Sequence, residues 1–231
     1  MKLVSAGMSV VGGRENNEDA FGSLVYFAGG RAYKALFVAD GLGGEAHGER
    51  GSKAAVKAAK ELLPRIEQPT KANLRQLFQD VDRRVLRSGG KTTLSLLTVR
   101  LDDGVCYAAW CGDSPLVVAA GTRCRLRATQ HGVDGMLFRC LGSERGDVEN
   151  PWEPDVGRGR LHPGDVVIVA SDGLDEILDE EALPETLADL QKSGLQSRDP
   201  ASLTRVCERM IKRAIERGST DNCTILLGVL R

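Results

Sequence analysis

Between Thr92 and Ala128 the chain runs through four short apolar stretches, Thr92–Leu101, Val105–Cys111, Leu116–Ala120 and Arg123–Ala128, separated only by turn residues. Asp102-Asp103-Gly104 and Ala120-Gly121 are two of the joints. Strands this close, with no helix between them, must pair antiparallel. Upstream, Leu3–Val11, Ser23–Ala28 and Tyr33–Ala39 read as strands. Two helices follow them. Glu45–Leu63 carries Ala54, Ala55, Ala58, Ala59, Leu62 and Leu63 at helical spacing, and Thr70–Arg87 carries Leu74, Leu77, Phe78, Val81 and Val85 before Gly89-Gly90 stops it. Downstream, 131–160 has a weak pattern and reads as loop with a short element at Met136–Leu141. Val166–Ser171 is a buried strand, helices are expected near Glu180–Lys192 and Pro200–Arg217, and Cys223–Leu230 is a last strand. Strand runs separated by helix pairs predict an α+β layered fold, antiparallel sheets with helices outside. No repeat or linker divides the chain, so 1–231 reads as one domain.

Composition removes several functions. With 31 Lys+Arg against 32 Asp+Glu, the net charge is −1, and aromatics make up only 4%. A nucleic-acid partner needs a clustered basic surface or stacking platforms, and neither is expected here. No apolar run approaches the ~18–20 residues of a membrane helix, so no membrane association is expected. The N-terminal Leu3–Val11 reads as a retained strand, not a signal peptide. Cys106, Cys111, Cys124, Cys140, Cys207 and Cys223 form no CxxC pair. They read as small hydrophobes in a reduced, cytoplasmic protein.

The acidic residues carry the chemistry. Asp40, Asp113 and Asp172 each end an apolar strand, and Asp221 precedes the last one. Glycine follows Asp40 and Asp172 directly, which lets the backbone bend and turn a carbonyl inward. A carboxylate at such a place is costly unless a positive charge offsets it. Any one Asp-Gly pair is ordinary turn chemistry; four acids in similar surroundings suit a hard cation. Oxygen donors without His or Cys favour Mg²⁺ or Mn²⁺ over Zn²⁺. The cluster Arg14-Glu15-Asn16-Asn17-Glu18-Asp19 sets a guanidinium beside three acids. It fits a phosphate clamp, and equally a polar turn with a surface salt bridge.

Arg14-x-x-Asn17-Glu18-Asp19, Val38-Ala39-Asp40-Gly41-Leu42-Gly43-Gly44, Thr92-Thr93, Gly112-Asp113-Ser114, Pro163-Gly164-Asp165 leading to Ser171-Asp172-Gly173-Leu174, and Asp221-Asn222-x-Thr224 follow one another in this order. The set resembles the metal-dependent protein serine/threonine phosphatases, the PPM or type 2C family, in compact bacterial form. The resemblance spans Ser9 to Val229. It implies a β-sandwich of two antiparallel sheets flanked by helix pairs, and hydrolysis of phosphoserine and phosphothreonine by a hydroxide bridging two Mn²⁺ or Mg²⁺ ions. It implies that Asp40 bridges the ions, that the Gly41 carbonyl completes one site, and that Asp172 and Asp221 hold the other ion. Glu18 and Asp19 would act through metal-bound waters, Arg14 would hold the substrate phosphate, and Asp113 and Glu176 would take a third, weaker ion. The implied partners are phosphorylated proteins, including a bacterial Ser/Thr kinase whose action the enzyme reverses, and the implied state is a monomer.

The chain departs from the family pattern at several points. Leu42 stands where many relatives have His, a general acid; a metal-bound water or His47 would then protonate the leaving group. Lys91 replaces a Gly, Pro115 an Arg, and Gln130-His131 the usual Asp-His. Four residues after Asp172 stands Glu176 where Asp is usual, with Asp175 beside it. The flap segment, 131–160, is shortened. An inactive signalling or binding module of the same fold is the alternative, but it should have lost some of Arg14, Asp40, Asp172 and Asp221, and all four stand. Gly89-Gly90-Lys91-Thr92-Thr93 imitates the end of a phosphate loop, yet a helix precedes it and a strand follows, the wrong order for helix amides to reach a phosphate.

Overall fold

The computed structural model describes residues 1–42, 47–133, 136–143, 152–192 and 199–231. Its strands are β1 (Leu3–Val10), β2 (Ala20–Ala28), β3 (Arg31–Ala39), β4 (Leu94–Arg100), β5 (Val105–Cys111), β6 (Leu116–Ala120), β7 (Arg123–Arg127), β8 (Gly132–Val133), β9 (Met136–Leu137), β10 (Asp155–Arg160), β11 (Val166–Ala170) and β12 (Cys223–Leu230). The helices are α1 (Gly48–Leu62), α2 (Lys71–Ser88), α3 (Asp175–Leu178), α4 (Leu183–Lys192) and α5 (Pro200–Glu216). One five-stranded sheet has the order β1-β12-β11-β6-β7 and the other β10-β5-β4-β3-β2; a small hairpin pairs β8 with β9. Every pairing is antiparallel.

The two sheets face each other, and strand alternation divides the core into layers. On β3, Leu36 and Val38 join Leu97, Leu116, Val167 and Leu226 between the sheets, while Ala35, Phe37 and Ala39 face α1 and α2. On β12, Ile225, Leu227 and Val229 turn the other way, onto α4 and α5. Both faces of β12 are therefore covered, and its eight residues are all buried. That explains its unbroken apolar run, since a strand buried on both sides has no polar face to alternate with. Full burial of side chains such as Phe78 and Leu74 on α2 contributes about 1.5–3 kcal/mol each. Thr70 Oγ1 caps α2 by accepting the Asn73 N–H at 3.2 Å, and Gly89 ends the helix at φ 76°.

The α+β sandwich agrees with the sequence reading, with local differences. In 131–160 the short element expected at Met136–Leu141 is the β8–β9 hairpin, and β10 is an additional strand on the edge of its sheet. Its sequence, Asp-Val-Gly-Arg-Gly-Arg, has two glycines and no apolar alternation, because an exposed edge strand has little to bury. Residues 134–135 and 144–151 of the shortened flap lie outside the described residues. The helix expected at Glu180–Lys192 starts at Leu183, and α3 precedes it. The helix expected from Glu45 begins at Gly48, with 43–46 outside the described residues. Cys124 is exposed and the other five cysteines are buried. No helix among the described residues is long and apolar enough to cross a membrane.

Candidate active site

Antiparallel pairing brings the C-terminal ends of β3, β5 and β11 and the N-terminal end of β12 to one edge of the sandwich. Asp40, Asp113, Asp172 and Asp221 are attached to those four ends. With Arg14, Glu18 and Gly41 they line a single cleft of about 650 Å³, which Met136 and Leu137 also line.

Backbone hydrogen bonds fix each carboxylate. The Asp40 N–H donates to Thr93 Oγ1 at 3.0 Å, and its carbonyl accepts from Thr92 Oγ1 at 2.7 Å and from the Thr93 N–H at 2.8 Å. The Gly41 N–H donates to the Glu18 carbonyl at 3.2 Å. A Cβ on Gly41 would meet the Gly48 carbonyl at 2.4 Å, and one on Gly48 would meet the Glu18 carboxyl at 3.0 Å. These glycines therefore serve close approach of three segments around Glu18. Buried Asn222 ties the Arg14–Asp19 loop to β12. Its Oδ1 accepts the Glu18 N–H at 2.8 Å, and its Nδ2 donates to the carbonyls of Val11 and Asn16, each at 2.8 Å. Ser171 Oγ donates to Asp19 Oδ2 at 2.8 Å while accepting the Thr224 N–H at 2.9 Å. Arg14 donates to Asp221 Oδ2, leaving the guanidinium half exposed at the cleft mouth.

The carboxyls of the cleft are crowded and raised by burial. Burial, then the charges of Asp19 and Asp172, push Asp40 well above the ordinary carboxylate range. Asp172 is raised as well, by burial first and with Asp221 adding, while its hydrogen bond with Asp40 opposes the rise. Burial raises Asp19 to about 6 and Asp113 to about 6, with Asp172 adding to both. Glu18 is raised by burial and by Glu49, against the pull of Arg14. Asp19 is only 7% exposed, and its Oδ1 has no hydrogen-bond donor among the described residues. An orphaned buried carboxylate oxygen and several carboxyls held up by burial and one another are what a divalent ion would relieve. As placed, no three Asp, Glu, His or Cys side chains among the described residues form a closed cage by themselves.

Sequence reasoning named Arg14, Glu18, Asp40, Gly41, Asp113, Asp172 and Asp221, and all seven line the cleft. Asp19 sits behind it, hydrogen-bonded to Ser171. Glu176 is exposed on α3, its carbonyl accepting from Arg217 at 3.3 Å. Asp175 takes the inward place: Gln130 Nε2 donates to its Oδ2 at 2.9 Å and to the Asp113 carbonyl at 3.4 Å. Burial and the charge of Asp172 lift Asp175 to about 7. His131 is buried; its Nδ1 accepts the Gly112 N–H at 3.2 Å and its own N–H donates to the Gly112 carbonyl at 3.0 Å. His47 is exposed in the left-handed region (φ 84°) and does not line the cleft. The supporting roles of Asn222, Ser171 and Thr93 were not read from the sequence. All three lie inside the sequence motifs, but only the fold shows which distant groups they reach.

Known proteins share this architecture. A profile described as Protein phosphatase 2C matches residues 6–208. The mouse integrin-linked kinase-associated serine/threonine phosphatase 2C is 36% identical over 81 residues, 32% of this chain and 21% of that protein. The chain thus matches about a fifth of the length of that curated relative. Among solved structures, the S. agalactiae serine/threonine phosphatase superposes with a TM-score of 0.78 at 19% identity, covering 100% of both chains. PppA of Pseudomonas aeruginosa, described as a key regulatory component of T6SS, gives 0.73 at 26% identity, covering 100% of this chain and 99% of that one. The Mycobacterium tuberculosis serine/threonine phosphatase PstP/Ppp gives 0.71 at 24%, covering 99% of each. With most of its length matched by the family profile and its strand-end carboxylates gathered in one cleft, the chain belongs to the protein phosphatase 2C family.

Proposed function

We propose that the chain, acting as one domain over 1–231, is a metal-dependent phosphoprotein phosphatase that hydrolyses phosphoserine and phosphothreonine monoesters. The observation that carries this reading is the cleft itself, with Arg14 at its mouth and Glu18, Asp40, Asp113, Asp172 and Asp221 along its walls. Asp40, the Gly41 carbonyl, Asp172 and Asp221 would hold two Mn²⁺ or Mg²⁺ ions, with Glu18 and Asp19 acting through water. Bound ions would supply an activated water nucleophile and offset charge on the phosphoryl oxygens. Asp113 with Asp175, rather than Glu176, would take a third ion, a reading supported by Gln130 linking the Asp113 carbonyl to the Asp175 carboxylate while Glu176 is exposed.

The chain's own groups do the positioning. Arg14 offers paired N–H donors to the phosphate, and Asp221 fixes the direction in which it points. Asn222 holds the Arg14–Glu18 loop against β12, so clamp and carboxylates keep one spacing. The thiols have no part in this chemistry, since burial pushes Cys111 and Cys207 upward, away from a nucleophilic thiolate. A phosphorylated protein, including a Ser/Thr kinase, is the proposed partner, met by a cytoplasmic monomer. The test is hydrolysis of a phosphothreonine peptide with Mn²⁺ or Mg²⁺ and in excess chelator. Turnover should require the ion; full turnover in chelator would end the reading.

A further inference from the structure

A second cavity, of about 750 Å³, lies between α1 and the start of β2. Lys53, Lys57 and Lys60 line it, spaced four and three residues apart, so they form one stripe along α1. Like charges at this spacing weaken a helix, so helix stability does not account for the stripe. None of the three has a carboxylate within 4 Å among the described residues. Glu61, the acid on the rim, is held by Arg84 of α2 at 2.5 Å, and Lys57 acts on it only at longer range. The Lys60 stem lies flat on β2, because a Cβ at Gly22 would come within 2.7 Å of Lys60 Cε. Phe21 and Val56 give the groove an apolar floor.

The groove backs directly onto the acidic cleft. Along the segment between them, Asn16 and Glu18 line the cleft while Asn17 and Asp19 line the groove. A single thickness of chain thus separates a region of crowded carboxylates from a region of ammonium groups with no carboxylate partner among the described residues. With the cleft's own carboxylates taken up by ions in the phosphatase reading, the second region is the one that would attract an acidic peptide arm. We propose that this groove docks an acidic segment of the phosphoprotein substrate, remote in sequence from the phosphorylated residue, through Lys53, Lys57 and Lys60. The proposal rests on the phosphatase reading for the nature of its occupant.

The test uses the full chain and two phosphothreonine peptides that share a flexible spacer. One ends in a tail of Asp and Glu, the other in a tail of Ser and Gln. The acidic tail should raise kcat/KM about tenfold, through KM, as expected of three exposed ion pairs, and the gain should shrink as salt is added. The combined Lys53→Gln, Lys57→Gln, Lys60→Gln variant should lose that preference and keep its turnover of an aryl phosphate, which also reports that it folds. Fluorescence anisotropy with the acidic tail alone, carrying no phosphate, reads the groove without turnover. A dead enzyme that still binds the tail through the lysines would remove the phosphatase reading and leave the groove. Equal binding of the two tails, a preference that survives in the triple variant, or tighter binding of a single-stranded oligonucleotide of equal charge would each overturn the proposal.

Discussion

Replacing Asp19 by Asn should stabilise the ion-free protein above neutrality and destabilise it in acid. The carboxyl is buried and lifted from its ordinary 3.8 to about 6. An acid raised in the folded state loses its proton first in the unfolded chain, so stability falls as pH climbs from about 4 to 6 and stays low above that. For Asp19 the full penalty is ~3 kcal/mol. Asn keeps an acceptor for the Ser171 hydroxyl but puts an amide N–H₂ where Oδ1 lacks a partner, which costs about 1 kcal/mol. The net expectation is a gain of about 1–2 kcal/mol at pH 8, reversing to a small loss near pH 4. Urea unfolding of both proteins in chelator at the two pH values measures it. Repeating the pH 8 series with Mn²⁺ at about a hundred times its dissociation constant should stabilise the wild type by ~2.7 kcal/mol and the variant by less. A variant less stable than wild type at pH 8 in chelator, or a difference that ignores pH, would refute the argument.

Asn222→Ala removes the acceptor for the Glu18 N–H and both donors to Val11 and Asn16, and should cost about 2–4 kcal/mol in urea unfolding. Arg14→Ala should leave calorimetric metal binding intact while raising KM for a phosphopeptide, with a smaller loss on an aryl phosphate; unchanged phosphopeptide kinetics would take Arg14 out of the site. Asp172→Ala and Asp221→Ala should each lose metal affinity and turnover together, and near-normal activity in either would show that the ligands are assigned wrongly. Since ions compete with protons for carboxyls raised to about 6, Mn²⁺ affinity should weaken as pH falls below about 6, which titration calorimetry at pH 5 and 7.5 would detect.

The sandwich was legible because its strands are short, apolar and closely spaced, and antiparallel pairing needs nothing else. The cleft was legible because carboxylates at the ends of buried strands are conspicuous. What escaped was whatever pattern does not encode. β10 is an edge strand whose Arg158 and Arg160 face outward, while Gly157 and Gly159 on the opposite face lie against Leu126, Trp110 and Cys106 with no side chain to bury, so no apolar alternation marks it. Asp175 and Glu176 are adjacent acids, and the choice between them is a choice of helix phase. α3 begins at Asp175 and buries Ile177 and Leu178, which turns Glu176 to solvent and Asp175 toward Gln130. Asn222 is uncharged, and its work lies 204 to 211 residues away in sequence.

The same helix phase gives Gln130 a physical meaning. Members of the family usually place an Asp there, and an Asp would bring another negative charge to a group where Asp172 already raises Asp113 and both raise Asp175. Gln130 brings a donor and no charge. Its amide reaches the Asp175 carboxylate and the Asp113 carbonyl together, so it both lowers Asp175 and ties α3 to the turn after β5. On the other side of that turn His131 grips the Gly112 peptide through its ring nitrogen and its own N–H. Burial lowers His131, which keeps the imidazole neutral and able to accept. Gly112 must be glycine for this grip, since it sits at φ 111° with Thr93 packed where a Cβ would go. In this chain the loop position facing Asp175 thus holds a neutral donor, which reaches the carboxylate and lowers it without adding a charge beside Asp113 and Asp172.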